Sequence, residues 1–187
     1  MNNKYSGNVA DFQPVVEDKR RVVISYDLQE GENDMATWRE VVFYKKQVGK
    51  PNIEAVKKAI IDDINKQTDE KILTGFVWND IPVWLSEENQ RNFSEAERIA
   101  ETNPEAILPV TFKLGEQADG TPIYHTFETA EELTGFYLQA VAYINQCLAA
   151  GWQAKDGMDY SPYEAALAPS TQKEEAAETP KKRSTKK

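Results

Sequence analysis

The chain has only one residue of each of the two types, His and Cys, on which many catalytic and metal sites depend. Its 187 residues contain a single His, His125, and a single Cys, Cys147. A Ser-His-Asp or Cys-His mechanism would have to use His125, because the histidine accepts the proton of the nucleophile. One Cys and one His cannot form a disulfide framework, a Cys/His zinc site or an iron–sulfur site within one chain. Most enzyme classes are therefore excluded.

The positions of these two residues also argue against catalysis. His125 alternates with Tyr124 and Thr126 in a predicted strand, so we expect it on the solvated face of that strand. Cys147 precedes Leu148 on the apolar side of a predicted helix, where Cys usually behaves as a small hydrophobe. We therefore expect no enzyme, with no catalytic residue, no cofactor and no metal.

Pairs of adjacent carboxylates are the remaining candidates for acid–base chemistry or Ca²⁺ binding. Three pairs of identical carboxylates fall in predicted helices, Asp62-Asp63, Glu87-Glu88 and Glu131-Glu132. Glycoside hydrolysis needs two carboxylates across a cleft, and an EF-hand needs Asp-x-Asp-x-Asp-Gly spacing. Neither pattern is present, and all three pairs fall in first turns or on outer faces of predicted helices. We expect them to be solvated charges.

Tryptophans around a predicted turn are the strongest indication of a binding surface. Trp78 and Trp84 flank the dipeptide Asn79-Asp80. Aromatic side chains on a hairpin bury a large area for little rotamer entropy, which suits contact with a protein or a carbohydrate. The alternative is that they pack beneath the last helix. The candidate partner-contact residues are Trp78, Asn79, Asp80 and Trp84.

The elements that must position these residues begin with a hairpin and a helix. Residues 21–27 and 37–45 are rich in β-branched and aromatic side chains, which predicts two antiparallel strands. A helix follows, with Asn52 as its N-cap and Gly75 as its stop. Its apolar stripe would lie across the hairpin, while Asp62 and Asp63 fill the other face.

Two further hairpins are predicted, each followed by a helix. The first spans residues 76–85 around Asn79-Asp80, and its helix runs from a Ser86 cap to about residue 102. The second pairs residues 106–114 with 123–127. A capping box at Thr129 and Glu132 opens the most strongly apolar helix, which we expect to end at Gly151 with Trp152 folding back as an anchor.

The sequence therefore predicts an α+β fold, with small antiparallel β-hairpins packed against three helices and with flexible termini. Residues 1–18 are predicted to be an N-terminal arm that is either flexible or ordered by a partner. Residues 19–163 form the α+β domain, and residues 164–187 are predicted to be a disordered, charged tail.

Charge argues against nucleic acid and membrane partners. The net charge is −9, from 22 basic and 31 acidic residues. From Gln172 onward there are six basic and three acidic residues, so the tail carries +3 and the body −12. An acidic body repels DNA, RNA and anionic lipid. The first residues lack the apolar segment of a signal peptide, so we expect synthesis in the cytoplasm.

The middle of the chain resembles a known family. Residues 71–90 read KILTGFVWNDIPVWLSEENQ, residues 108–113 read LPVTFK, and residues 124–127 read YHTF. Together with the segment from Phe136 to Trp152, these runs are similar to a domain of unknown function in tail, baseplate and fibre-region proteins of tailed bacteriophages and prophages. The resemblance covers about residues 50–163.

This resemblance implies a role in the phage particle or its assembly. The leading hypothesis is a virion structural or accessory protein in the tail, baseplate or fibre region, which docks onto other phage structural proteins. A homo-oligomer is left open. The alternative is an assembly factor, such as a fibre chaperone or adaptor, that is absent from the finished virion. A hydrolase acting on cell-surface glycan is the least favoured hypothesis.

Overall fold

The computed structural model describes residues 4–168, which adopt an α+β fold of eight strands and five helices. The strands are β1 (Lys4–Asn8), β2 (Val15–Glu17), β3 (Arg21–Glu30), β4 (Met35–Tyr44), β5 (Phe76–Trp78), β6 (Ile81–Val83), β7 (Val110–Glu116) and β8 (Pro122–Phe127). The helices are α1 (Lys45–Val48), α2 (Ile53–Thr74), α3 (Glu87–Thr102), α4 (Ala130–Asp156) and α5 (Ser161–Leu167). The predicted fold class is confirmed.

The first hairpin, β3–β4, is the centre of a four-stranded antiparallel sheet in the order β1-β4-β3-β2. Helix α2 lies across one face of this sheet, as predicted. Its side chains Val56, Ile60 and Ile64 pack with Val22 and Ile24 of β3 in the first of two cores. Burial of these branched side chains, each worth about 1.5–3 kcal/mol, holds the helix on the sheet.

The prediction of a free N-terminal arm over residues 1–18 is wrong for the residues that the structure describes. Strand β1 pairs with β4, and β2 pairs with β3, so the segment covers both edges of the hairpin. Phe12 also contacts Trp38, with ring centroids 6.1 Å apart. The physical reason is that exposed strand edges carry unpaired backbone groups, which this segment satisfies within its own chain.

The ends of α2 and α3 lie where the capping residues predicted them. The side chain of Asn52 accepts a hydrogen bond from the Ala55 N–H, and Gly75 closes α2 at its other end. Ser86 caps α3 in the same way, through the N–H of Asn89. These side-chain caps satisfy backbone donors that the helix itself leaves unpaired.

The second core lies between two hairpins and the helices α3 and α4. The hairpins are β5–β6 and β7–β8, both as predicted, although β7 begins at Val110 rather than at residue 106. Asn79 and Asp80 form the first turn with φ angles of 48° and 63°, the left-handed backbone that this dipeptide tolerates. The core contains Phe76, Trp78, Val83, Leu85, Phe93, Leu114, Phe127, Leu133 and Phe136 among its buried side chains.

Two predictions about the end of α4 are wrong. Gly151 does not end the helix, which continues to Asp156. A Cβ on Gly151 would lie 2.5 Å from the Thr68 Oγ1, so the glycine is there to let α2 and α4 approach closely. Trp152 does not fold back as an anchor, since it remains in the helix with 56% of its surface exposed.

The predicted tail over residues 164–187 begins inside a helix. Helix α5 ends at Leu167, and Tyr163 within it is buried in the first core. The rest of that prediction, from residue 169 onward, lies outside the described residues.

Candidate functional site

The two small hairpins form one layer, and a close backbone approach joins them. The backbone N–H of Trp84 donates to the Leu114 carbonyl over 2.7 Å, just beyond the end of β6. A Cβ on Gly115 would lie 2.5 Å from the Pro82 carbonyl oxygen, so β6 and β7 can meet here only if that residue is glycine. Side chains of both hairpins therefore share two common faces, one on the core and one on solvent.

The solvent side of this layer is partly apolar and is our candidate contact site. We call it the outer hairpin face, formed by Val77, Pro82, Trp84, Lys113 and Tyr124. Val77 pairs with Pro82, and Lys113 pairs with Tyr124 in the two ladders. The Lys113 Nζ lies 5.4 Å from the Trp84 ring centroid, a cation–π contact that links the hairpins. Val77 is 58% exposed and Tyr124 is 64% exposed.

The four predicted contact residues are divided between the inside and the outside of this layer. Trp78 is only 4% exposed and packs against Phe136 of α4, with ring centroids 5.1 Å apart. It therefore follows the alternative of packing beneath the last helix. Asn79 and Asp80 are exposed at the turn, and Trp84 is half-buried on the outer hairpin face. For these three, contact with a partner stays a prediction.

His125 does not lie on the solvated face of β8, so that expectation is wrong. Its ring stacks edge-on with Trp78 and Phe127, with centroids 4.9 Å and 4.6 Å away. Its Nε2 lies 2.9 Å from the Glu132 Oε1 in the first turn of α4. Glu132 is thus bound to His125 instead of closing a capping box, although Thr129 does accept the Glu132 N–H.

Cys147 is buried on the core side of α4, as predicted, with 3% of its surface exposed. Within residues 4–168, His125 forms its side-chain hydrogen bond with Glu132 and none with a Ser hydroxyl or with the Cys147 thiol. The geometry accordingly places the chain's single His and single Cys in separate packing environments.

The sequence patterns do not predict the buried polar network that surrounds Asp63. Asp63 was expected on the outer face of α2, yet it is 8% exposed and faces the sheet. The Arg39 Nε donates to its Oδ2 over 2.9 Å, the Tyr26 hydroxyl donates to the same atom, and the Gln67 amide lies 3.2 Å from it. Burial, together with the neighbouring Asp63 carboxylate, raises the pKa of Tyr26, which therefore stays a neutral donor.

A signal for this network does exist in the sequence. Asp63 lies three residues after Ile60 and seven after Val56, which places it at the edge of the buried stripe. Arg39 and Tyr26 are register partners on the inner face of the β3–β4 hairpin. A buried carboxylate needs such a charged partner, because an isolated charge is costly to bury.

Within residues 4–168 there is no group of three or more His, Cys, Asp or Glu residues that could hold a metal ion. Over the same residues, each helix is too short or too polar to cross a membrane. The arrangement can offer a contact surface on the outer hairpin face and a rigid charged network under the sheet.

Comparison with known proteins gives one family. The family model described as Domain of unknown function (DUF4376) matches residues 55–178, which is more than half of the 187 residues. Neither the curated proteins nor the solved structures contain a match.

Proposed function

We propose that this chain, which belongs to the DUF4376 family, is a non-enzymatic docking module that binds another protein through the outer hairpin face. The observation that carries the proposal is the continuous solvent side of the two joined hairpins. Val77 and Tyr124 are more than half exposed there, on either side of the Trp84–Lys113 contact. Aromatic side chains in a rigid setting are the residues that most often dominate binding energy at protein interfaces.

The core supports this function because its buried aromatic side chains pack against the inner side of the two hairpins and keep the outer hairpin face rigid. Trp78, His125 and Phe127 form a stack of aromatic rings directly beneath the two hairpins. Phe136 of α4 contacts this stack from the helix layer, 5.1 Å from Phe127. A face that is rigid before binding loses little conformational entropy when its partner docks.

The setting that we propose is the tail, baseplate or fibre region of a phage particle. It rests on the resemblance of residues 71–90, 108–113 and 124–127 to phage tail-region proteins. Residues 76–85 within the first run contain both strands of the β5–β6 hairpin, so the resembling sequence and the outer hairpin face coincide in part. The partner is then another phage structural protein.

Mass spectrometry of particles purified from a host that carries the gene tests the proposal. The wild-type chain is expected in the particles at a fixed stoichiometry. The double variant Val77→Ser/Tyr124→Ser, at positions 58% and 64% exposed, is expected to fall by at least about tenfold, the loss that about 1.4 kcal/mol of binding energy gives. The Tyr124→Ser single variant serves as a check, because its 64% exposure makes a folding defect a poor explanation.

The matched control is Leu138→Ser/Trp152→Ser, which removes equally exposed apolar side chains from α4, 59% and 56% exposed. This control is expected to enter particles like the wild type. Enrichment on assembly intermediates with absence from mature virions would identify the assembly-factor alternative. Absence from both, or equal loss for both double variants, would overturn the docking function.

A further inference from the structure

One end of the four-stranded sheet is basic, although the chain as a whole is acidic. It lies where β2 ends, β3 begins and β4 passes into α1, and we call residues 17–21 and 45–50 the basic end. They contain six basic and two acidic residues, whereas the rest of residues 4–168 contain ten basic and 26 acidic ones. The six basic residues are Lys19, Arg20, Arg21, Lys45, Lys46 and Lys50.

Backbone and side-chain contacts bring the two segments of the basic end together. The Lys45 N–H donates to the Arg20 carbonyl over 2.9 Å. The Lys45 Nζ lies 2.6 Å from the Glu17 Oε1, and the Lys50 Nζ lies 3.3 Å from the Glu17 Oε2. These two ammonium groups hold the pKa of Glu17 below its ordinary value, as expected where the surrounding potential is positive.

The two acidic residues at this end do not balance its charge. Glu17 is shared by two lysines, and Asp18 accepts the Arg21 Nε–H over 3.1 Å. The other three basic residues are exposed, and none of them forms an ion pair with an acidic residue among residues 4–168. They are Lys19, Arg20 and Lys46. Such a surplus of positive charge on an exposed surface attracts an anionic segment.

The last described residues lead toward the basic end. The Lys155 Nζ is bound to the Asn65 Oδ1 over 2.9 Å, and further along the chain the Tyr160 ring centroid lies 5.5 Å from the Lys57 Nζ. Glu164 of α5 is also paired with Lys57, over 3.1 Å. The chain therefore runs back along α2 toward the N-terminal end of that helix.

The length of chain beyond α5 suffices to reach the basic end. Helix α5 packs on β2 as well as on α2, and β2 ends at Glu17. The Cα atoms of Lys57 and Lys50 are at most about 20 Å apart, because the chain between them is partly helical. Residues 174–178 follow Ala168 by six to ten residues, which can span roughly 20–35 Å when extended.

We propose that the acidic run of residues 174–178 binds to the basic end of its own chain. The run reads Glu-Glu-Ala-Ala-Glu, with three carboxylates and no basic residue. Pro180 separates it from residues 181–187, whose five basic residues are repelled by the same surface. Because the tether gives the run an effective concentration in about the millimolar range, exposed ion pairs are sufficient to hold it. This contact shares no residue with the outer hairpin face and does not rest on the docking function.

Carbodiimide crosslinking of the full chain tests the contact, since this reagent joins a carboxylate to an amine only where the two touch. The sample is a mixture of light and heavy isotope-labelled chains, and the linked peptides are identified by mass spectrometry. We expect links from the run to lysines of the basic end within one chain. Links between light and heavy chains would assign the basic end to a second copy and overturn the proposal, as would the absence of any link.

A tether by itself also brings the run near, so the charge of the basic end is varied. In Lys46→Gln/Lys50→Gln, the links from the run to Lys19 are expected to fall at least about threefold, the effect of losing two exposed ion pairs. The matched control Lys58→Gln/Lys66→Gln removes two α2 lysines that are 74% and 53% exposed, and it should leave these links unchanged. Equal link yields in the two variants would show that charge does not hold the run.

Heparin chromatography gives an independent readout, because a basic end without its acidic run is free to bind another polyanion. Replacing the three glutamates of the run by Gln is expected to raise the salt concentration at which the chain elutes. The matched control Glu88→Gln/Glu101→Gln/Glu131→Gln changes the net charge equally at exposed helix positions and is expected to elute earlier. Elution of the two variants at the same salt concentration would contradict the proposal.

Discussion

At the scale of single residues, the Asp63 network has the clearest energetic consequence. Arg39 is 13% exposed at its side chain and shares the Asp63 Oδ2 with Tyr26. Replacement of Asp63 by Ala would leave a buried guanidinium without this carboxylate. We expect the free energy of unfolding to fall by about 3–5 kcal/mol, the usual cost of breaking a buried ion pair on one side. Urea unfolding followed by circular dichroism at neutral pH measures it.

The adjacent residue provides the control for this prediction. Asp62 is paired with Lys58, and both side chains are more than half exposed. Asp62→Ala is therefore expected to cost about 0.5 kcal/mol or less. The double variant Arg39→Met/Asp63→Leu should recover much of the loss, because no charge is left buried. Similar costs for Asp62→Ala and Asp63→Ala would contradict the buried network.

Tyr163 gives a pH dependence with a definite sign. Its hydroxyl donates to the Ser25 carbonyl over 2.9 Å, and burial raises its pKa to about 12. An unfolded tyrosine ionises near pH 10, so the native state holds this proton more tightly. The resulting stability is complete below about pH 10 and is lost as the pH rises toward 12. Between about pH 8 and pH 11 we expect the wild type to lose about 1.4 kcal/mol more than Tyr163→Phe.

Chemical unfolding of both proteins at the two pH values measures this difference. The Phe variant should be about 1 kcal/mol less stable at the lower pH, because it lacks the hydrogen bond. Tyr26 and Tyr143 are common to both proteins, so their titration cancels in the comparison. Parallel losses in the two proteins would show that Tyr163 is not protected in the native state.

At the scale of elements, the contact of α2 with α4 depends on Gly151. Gly151→Ala places a Cβ against Thr68, and we expect a loss of about 1–3 kcal/mol from overpacking. Gly135→Ala is the matched control in the same helix, since nothing lies within 4 Å of its Cβ. It should gain up to about 1 kcal/mol from helix propensity. Thermal unfolding compares the two, and equal effects would rule out the close contact.

Local signals were sufficient for elements whose ends depend on neighbouring residues. Asn52, Ser86 and Thr129 were identified as caps because a capping side chain acts within three residues of its own backbone. The turn at Asn79-Asp80 was predictable for the same reason. These features determine the two small hairpins and the starts of the long helices.

The remaining features depend on contacts between residues distant in sequence. Gly151 has the signature of a helix stop, and only the approach of Thr68 gives it a different role. The sequence predicts an arm over the N-terminal segment because its strands are short and gain their stability from pairing with β3 and β4. The residues of the outer hairpin face can be predicted only in part. Strand alternation assigns Trp78 and Trp84 to opposite faces of the hairpin, but which of the two faces is buried depends on the packing of the core.

At the scale of the whole molecule, two cores are connected through α2 and α4. The family match begins at residue 55, inside α2, so the first sheet precedes the matched region. Yet Val56, Ile60 and Ile64 of α2 are buried against that sheet. The matched region alone would expose this apolar stripe.

A chain that starts at Asn52 is therefore expected to melt at least about 3 °C lower than the full chain, as a loss of about 1 kcal/mol or more implies for a protein of this size. It should also bind a hydrophobic dye that the full chain does not bind. Differential scanning calorimetry and dye fluorescence measure these two effects. An unchanged melting temperature without dye binding would show that the first sheet contributes nothing to the stability of the rest.

The central claim is that the outer hairpin face contacts another protein, and photo-crosslinking from that face tests it most directly. A benzoylphenylalanine at Val77, 58% exposed, is compared with one at Leu138, 59% exposed, during phage production. The docking account predicts a crosslink from position 77 to one phage structural protein and none from position 138. No protein crosslink from position 77, or the same crosslink from both positions, would contradict it.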